Sequence, residues 1–488
     1  MINNYKDLSI KELHSLLVSK KISPVELTEY VIELLKKDDN NAIEYLMEKE
    51  ALEIAKSLGE PEEDNLLWGI PFIIKDNLST KDVPTTASSN ILNGYVPVYN
   101  ATVVEKLLKS KAIPVCKATL DELAMGGTGT TGHLGMTYNP YDRSHERLVG
   151  GSSCGSAALI ADGVAPFALA SDTGDSIRKP ASYAGLVGYK PTWSRISRYG
   201  LFPFAPSLDT VGFFTRNVED ASIVLEVTSG RDENDSTSST KEVEKYSKYV
   251  SESPKGLKVA VIKQIVDAIK DKDIKDAFAK SVESLKSEGV VIDCVDMDEE
   301  LLSTLLPTYF VISCAEATSN NANLDGIKFG PYYDAKTYEG VMANARTKGF
   351  SELIKRRFVF GSFALMSENQ HDLFVRAQRN RRRIVEAVNK ILADYDAIYL
   401  PASPSVAPKK GEKSDRLSSE YLIADNHLVL GNFAGLPSLT LPIGFKEGLP
   451  FGANISCKPF DDGKVFTLSA AIERHSGLKG IYAKGERK

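Results

Sequence analysis

Short apolar runs alternate with helical patterns along this chain, and that alternation limits the folds it can adopt. Residues 69–75, 113–117 and 164–171 predict strands, while residues 102–110 and 153–162 predict the helices between them. Alternation of this kind builds a largely parallel sheet that is covered by helices on both faces. We therefore expect an α/β fold, an α/β/α sandwich around one large mixed, mostly parallel sheet.

Further elements are predicted on either side of this part. Ser9 and Ser23 each open a capping box, and Pro24 stands at a first helical position, so two helices should precede the first strand. The rest of the chain adds predicted strands at residues 257–262, 290–295, 397–400, 439–443 and 451–457, and predicted helices at residues 273–287 and 350–393.

The chain has 488 residues, which is enough for two or three ordinary domains. Residues 230–254 and 409–420 have the composition of linkers, but neither stretch is long enough to mark a domain boundary. We expect a single domain over residues 1–488. It would comprise amino-terminal helices at about 6–60, a core at about 65–220, and a carboxy-terminal part at about 255–480 that completes the same sheet.

Charge and composition exclude several classes of protein. The formal charge of -6 provides no basic field, so this chain alone is poorly suited to hold a nucleic-acid backbone. The amino terminus lacks the apolar core of a signal peptide, and no run of about 18 apolar residues occurs. The five cysteines are widely scattered without a CxxC pair, which fits reduced thiols. We expect a cytoplasmic protein with no membrane association.

Two seryl clusters and one lysine are the strongest candidates for chemistry. Residues 150–156 read GGSSCGS, residues 171–178 read SDTGDSIR, and Lys75 follows an apolar run upstream. Serine needs a base to take its proton before it acts as a nucleophile. Burial beside Ile73 and Ile74 would lower the pKa of Lys75 from about 10.4 and let it be that base. The pattern indicates amide hydrolysis without histidine.

Other motifs suggest different chemistry. Residues 127–132 match the GxGxxG dinucleotide pattern, but they follow a helical segment instead of a strand. Residues 151–155 fit the GxSxG elbow with Ser153 as nucleophile, although a charged segment precedes them where a buried strand is required. That alternative would also need a late histidine: His371, His427 or His475. The histidines show no metal-ligand spacing, so we expect no metal site.

The seryl clusters with the upstream lysine resemble the amidase signature family. The flanking segments are most similar to those of the A subunits of glutamyl-tRNA(Gln) amidotransferases. The segments that fall in family order are residues 69–77, 121–127, 207–209, 355–357 and 432–437. The family fold is a single mixed-sheet α/β/α sandwich, which agrees with the alternation of strands and helices.

The resemblance implies a role for each residue of the candidate active site. Ser176 would be the nucleophile, Ser152 the bridging serine after a cis peptide, and Lys75 the terminal base. The oxyanion hole would consist of four consecutive backbone amides: Thr173, Gly174, Asp175 and Ser176. The expected substrate-binding residues are Tyr309, Arg357, Asp425, Gly126 and Ser153.

Within that set, Arg357 would pair with the α-carboxylate of glutamine and Asp425 would hold its α-ammonium. Arginine suits the carboxylate because its planar fork binds it bidentately. On charge pattern alone, the run 355–357 would instead be a solvated helix face. Ammonia would pass to partner B and C subunits. The partner would bind ATP and Mg²⁺ and contact most of the tRNA, and this chain would need no cofactor.

The sequence also departs from the family pattern. Cys154 and Asp175 stand where the family usually has glycine. A carboxylate at 175 would oppose the developing oxyanion unless it pairs, with Arg178 or Lys179 as candidates. The resemblance implies a glutaminase subunit that hydrolyses glutamine through an acyl-serine and supplies ammonia for the conversion of Glu-tRNA(Gln) to Gln-tRNA(Gln). Two alternatives stay open beside it: one is a stand-alone amidase, and the other is a scaffold subunit that Asp175 has inactivated.

Overall fold

One eleven-stranded sheet organises the protein. The computed structural model describes residues 4–413 and 415–483. The ends of the expected domain (1–3 and 484–488) and residue 414 of the expected loop lie outside the described residues. The strands are β1 Ile43–Leu46, β2 Pro71–Lys75, β3 Ile113–Ala118, β4 Phe167–Asp172, β5 Val187–Lys190, β6 Thr210–Thr215, β7 Lys258–Ile262, β8 Val291–Val295, β9 Ala397–Pro401, β10 Ser438–Lys446 and β11 Leu449–Cys457.

Helices surround this sheet. They are α1 Ile10–Val18, α2 Pro24–Leu35, α3 Glu48–Ser57, α4 Thr102–Lys109, α5 Cys154–Ala161, α6 Arg178–Tyr183, α7 Val218–Thr228, α8 Lys263–Ala268, α9 Lys272–Ser287, α10 Glu299–Ser303, α11 Leu305–Asn320, α12 Tyr338–Gly349, α13 Glu352–Leu365, α14 Arg376–Asp394, α15 Leu430–Phe433 and α16 Asp462–Ser476. The capping boxes at Ser9 and Ser23 are confirmed, each with reciprocal hydrogen bonds to a glutamate.

The sheet is mixed, as expected, but it is not mostly parallel. The strand order is β1-β3-β2-β4-β6-β5-β10-β11-β9-β7-β8. Among the described strands, parallel pairing is confined to β3-β2-β4 on one side and β9-β7-β8 on the other. The remaining neighbours pair antiparallel: β1 with β3 at one edge, and the β10–β11 hairpin, β5 and β6 with their neighbours in the middle of the sheet.

Both faces of the sheet are covered, which confirms the sandwich. Every residue of β2, β4, β6 and β11 is buried, although successive side chains of a strand point to opposite faces. Such strands require packing on both sides. Helices α6, α9 and α16 all contact β10, and α5 contacts β2 and β4. β8 is largely exposed, as befits a strand at the edge of the sheet.

The predicted helix at 350–393 is wrong in one respect, because the structure divides it. α13 ends at Leu365, and α14 begins at Arg376 after a π-helical turn at His371–Val375. Asn369 lies in the break and its side-chain amide donates to the carbonyl of Phe363 at 3.1 Å. Asparagine competes in this way for helical carbonyls and favours a turn.

One helical segment is long and apolar enough to cross a membrane by length and composition alone. It spans Glu299–Asn323 and contains an 18-residue window with a mean hydropathy of 1.3. Half of this window is buried within the protein, and α11 packs against α13 and α14. Core helices of soluble proteins meet the same two criteria, so the segment is explained by its packing.

Candidate active site

The candidate site lies where β2 and β4 end. The two strands are parallel neighbours, so their carboxyl ends meet at the same edge of the sheet. β2 ends in Lys75, and β4 ends in Ser171 and Asp172. Ser152 and Ser153 immediately precede α5, which packs on both strands. The topology thus brings the upstream lysine and both seryl clusters together.

Lys75 is completely buried among hydroxyl groups. Its Nζ lies 2.8 Å from Ser152 Oγ, 2.8 Å from Ser153 Oγ and 2.9 Å from Ser171 Oγ. Burial disfavours the ammonium and lowers the pKa of Lys75 to about 7. A lysine with this pKa can accept a proton near neutral pH.

The peptide bond between Gly151 and Ser152 is cis, as the resemblance implies. Asp121 holds this segment, since its backbone amide donates to the Ser152 carbonyl at 3.1 Å. A Cβ at position 151 would lie 1.9 Å from Asp121 Oδ2, and one at Gly126 would lie 2.4 Å from Asp121 Cγ. Both glycines are therefore required by the close approach of this carboxylate.

The GxGxxG segment does not have a nucleotide-binding arrangement. The Asp121 carboxylate accepts hydrogen bonds of 2.9 to 3.1 Å from the backbone amides of Thr128, Gly129, Thr130 and Thr131. These are the donors that would hold a phosphate in a dinucleotide site. They are already occupied by a carboxylate of the chain, so the segment is a glycine-rich turn beside the active site.

The GxSxG elbow is also excluded by the contacts of Ser153. Its hydroxyl accepts from Lys75 and donates to the Ser171 carbonyl at 3.1 Å. Of the three late histidines, His371 and His475 are exposed and pair with Asp372 and Glu288. His427 is buried and bonds to the Ala424 carbonyl, and burial lowers its pKa to about 4.

Ser176 lies beside the segment that contains Ser152 and Ser153. The backbone amide of Ser153 donates to the Ser176 carbonyl at 3.3 Å, which joins the two seryl segments. Ser176 is 4% exposed. Among the described residues no hydrogen bond of its hydroxyl is found, so the Lys75–Ser152 link is present while the Ser152–Ser176 link is not a hydrogen bond in this state.

Residues 173–176 form the segment expected to bind an oxyanion, here called the oxyanion loop. Within residues 4–413 and 415–483, none of its four backbone amides donates to another group of the protein. The Thr173 hydroxyl donates to Asp209 at 2.7 Å. A Cβ at Gly174 would lie 3.0 Å from the Tyr309 ring, so the tyrosine rests directly on the loop.

A buried ion pair fixes both ends of the oxyanion loop. Arg178 donates to both oxygens of Asp172, at 3.1 and 2.9 Å, and to the Gly174 carbonyl at 2.9 Å. Burial pushes the pKa of Asp172 up, but Arg178 outweighs it and the pKa lies below its ordinary value. Asn432 completes the network with a 2.9 Å bond to Asp172. The loop is therefore held before any ligand binds.

Asp175 is paired, and the partner is Lys179. Lys179 Nζ lies 3.0 Å from Asp175 Oδ2 and 3.0 Å from Asp425 Oδ1, and it also donates to the Asp425 carbonyl. Burial disfavours the ammonium, but Asp425 and Asp175 outweigh it and raise the pKa of Lys179 above its ordinary value. Burial raises the pKa of Asp175, and the Lys179 ammonium opposes that rise. We call Asp175, Lys179 and Asp425 the charged triad.

Arg357 does not belong to a solvated helix face, although its neighbours do. Lys355 pairs with Glu352, and Arg356 is exposed. The Arg357 guanidinium lies 5.6 Å from the Phe204 ring and 5.5 Å from the Phe310 ring. Its Nη1 is buried with no hydrogen-bond partner among the described residues. A guanidinium that is held between aromatic rings with its Nη1 unpaired can receive an anion.

Sequence reasoning missed Ser171, Asp121 and the Asp172–Arg178 pair. Ser171 could have been found, because it ends the strand beside Lys75 and the carboxyl ends of parallel strands meet. Asp121 precedes the glycine-rich turn that wraps around it, a pattern typical of a carboxylate bound by turn amides.

Within the described part of the chain, no group of three or more histidine, cysteine, aspartate or glutamate side chains could hold a metal ion.

The sequence and the fold of this chain both have counterparts among known proteins. A family model described as Amidase matches residues 26–466. The chain is 38% identical over 484 residues to the A subunit of glutamyl-tRNA(Gln) amidotransferase of Staphylococcus aureus (strain JH9), covering 98% of this chain and 99% of that relative. The crystal structure of the corresponding A subunit from Thermotoga maritima is 35% identical, with a TM-score of 0.80 over 100% of this chain and 99% of that one. Native peptide amidase from Stenotrophomonas maltophilia shares the fold, at 24% identity and a TM-score of 0.82 over 97% of this chain and 98% of that one.

Proposed function

The chain belongs to the amidase family, and we propose that it is the glutaminase subunit of a tRNA-dependent amidotransferase. It would hydrolyse glutamine through an acyl-serine and supply ammonia for the conversion of Glu-tRNA(Gln) to Gln-tRNA(Gln). The observation that carries this proposal is the contact of the buried Lys75 amine with Ser152, at a lysine pKa of about 7.

In the proposed mechanism, neutral Lys75 takes the proton of Ser152, which in turn takes the proton of Ser176. Ser176 Oγ then attacks the side-chain amide carbon of glutamine. The oxyanion that forms is bound by the free amides of the oxyanion loop. The stored proton returns to the leaving nitrogen and ammonia departs. Water then attacks the γ-glutamyl ester by the same proton path and releases glutamate.

Substrate recognition would involve two charged groups, Arg357 and Asp425. Arg357, with its unpaired Nη1, would bind the α-carboxylate, and Asp425 the α-ammonium. Tyr309 lies against Gly174 and would cover the reacting amide. Gly126 and Ser153 would line the site, Gly126 through its contact with Asp121.

Partners complete the proposed reaction. The chain would assemble with B and C subunits, and the partner subunit would bind ATP and Mg²⁺, activate the mischarged glutamate and contact most of the tRNA. The negative charge of this chain agrees with that division of labour. We place the complex in the cytoplasm. The scaffold alternative loses its main argument, since Asp175 is neutralised by Lys179.

Dependence on partners separates the proposed function from a stand-alone amidase. We expect glutamine hydrolysis to rise roughly tenfold when the B and C subunits and Glu-tRNA(Gln) are added, a typical size for coupling between sites. Ammonia release is the measurement, and uncharged tRNA(Gln) is the control. Broad amide cleavage that ignores all these partners would identify a stand-alone amidase instead.

The pH dependence should follow the titration of Lys75. Its amine is protonated below about pH 7 and cannot accept a proton, whereas above that pH it is neutral. We expect kcat/KM for glutamine to fall about tenfold per pH unit below pH 7 and to level off above it. Initial rates between about pH 5.5 and 8.5 test this. A profile that is flat or that rises toward acid would contradict the assignment of Lys75 as base.

A further inference from the structure

We propose that Lys179 and Asp175 together determine specificity for a substrate with an α-ammonium group, by setting the net charge around Asp425. The inference rests on the proposed function, which assigns the α-ammonium to Asp425. It concerns the charged triad, in which one ammonium contacts two carboxylates at 3.0 Å each.

The charged triad has a net negative charge. Asp425 and Lys179 alone would form a neutral pair and would leave nothing to attract a second ammonium. Asp175 adds one negative charge, so the triad keeps a net charge of one carboxylate. Opposite charges a few ångströms apart attract strongly in a partly buried site. The net negative charge that attracts the α-ammonium of glutamine is therefore present only because of Asp175.

The charged triad also affects the oxyanion loop. Asp175 belongs to that loop, and its carboxylate would oppose the negative charge that develops on the substrate oxygen. Lys179 lies against this carboxylate and neutralises its effect at the loop. The charges of the two residues thus compensate each other. The Lys179 ammonium neutralises Asp175 next to the oxyanion of the transition state, and the Asp175 carboxylate keeps the net charge around Asp425 negative although Lys179 contacts Asp425.

Lys179 is held in the charged triad by its place on the helix and by burial. Residues 175 and 179 are one helical turn apart, and the Lys179 amide donates to the Asp175 carbonyl at 2.9 Å at the start of α6. The Lys179 side chain is 9% exposed, whereas those of Asp175 and Asp425 are 24% and 28% exposed. The buried ammonium is therefore fixed, and the carboxylates keep the surface that a ligand can reach.

A double-mutant cycle that changes the charges of Asp175 and Lys179 tests the proposal in the full-length chain. The background is Ser176→Ala, so that ligands bind without turnover. The variants are Asp175→Asn, Lys179→Gln and the double variant, which preserve side-chain size while changing the charge. Calorimetry gives Kd for glutamine and for glutaramate, which is glutamine without its α-amino group.

We expect the background chain to prefer glutamine over glutaramate. Asp175→Asn should lower that preference about tenfold, because the triad becomes neutral. Lys179→Gln should keep or raise the preference. The double variant regains one negative charge and should restore the original ratio. With Ser176 intact, Lys179→Gln should lower kcat about tenfold with little change in KM, because an unpaired Asp175 opposes the oxyanion.

Glutaramate binding and thermal melting report whether each variant is folded. A purely structural role of the pair would weaken both ligands alike and would not be rescued by the double variant. If both ligands bind but their ratio does not change in Asp175→Asn, the inference is wrong and the proposed function stands. If neither ligand binds the Ser176→Ala chain, the proposed function itself fails, and this inference fails with it.

Discussion

Lys75→Met should reduce kcat/KM for glutamine by about 10⁴-fold and leave the Kd of glutamine nearly unchanged. A positioned general base contributes up to about that factor, and methionine has no proton acceptor of comparable strength. Its unbranched side chain fills a buried lysine site with little strain. Lys75 contacts three hydroxyls of the protein, so its loss acts on the chemical step. Ammonia release and calorimetric binding separate the two effects.

Lys190 offers a matched control for this variant. It is also fully buried with its pKa lowered to about 7 by burial, but its amine donates to the carbonyls of Pro191 and Leu436. Lys190→Met should lose stability, because two buried carbonyls lose their donor, yet keep its activity per folded molecule. If Lys75→Met retained a tenth of the activity, or if His427→Gln abolished it, the base would have to be sought elsewhere.

Eight of the eleven described strands could be predicted from the sequence, whereas β1, β5 and β6 could not. β2, β3 and β7 are apolar runs with clear boundaries. β6 contains Gly212, whose Cβ would lie 2.2 Å from the Tyr189 carbonyl, so packing against β5 requires a residue with low strand propensity. β1 has only four residues, and none of them is fully buried. The local strand pattern in the sequence is weak where contacts with distant parts of the chain determine the residue type.

The same limit applies to the site. The lysine and both seryl clusters could be predicted because each stands in a local pattern that the chemistry requires. The contact between Lys179 and Asp425 joins residues 246 positions apart, so no local pattern reveals it. The sequence raised the question of how Asp175 is neutralised, and the fold answers it with a lysine that also contacts the expected substrate-binding carboxylate.

Substrate binding should depend most on Arg357, whose Nη1 has no hydrogen-bond partner among the described residues. Arg357→Gln should raise KM for glutamine about 100-fold and change kcat only a few-fold. The loss corresponds to about 3 kcal/mol, the size of a charge-assisted interaction with a carboxylate. Arg357→Lys keeps the charge but loses the bidentate geometry, so we expect an intermediate KM. Steady-state glutaminase kinetics measure all three enzymes.

Arg356 and the substrate provide two controls for that result. Arg356→Gln changes an exposed neighbour on the same helix and should leave KM unaltered. Glutaminamide lacks the α-carboxylate, so its KM should be high in every variant and insensitive to Arg357→Gln. Equal losses for glutamine and glutaminamide would mean that the arginine supports the Phe204 and Phe310 packing instead of the substrate. Because loss of that packing would also lower the melting temperature, the two explanations remain separable in the same set of variants.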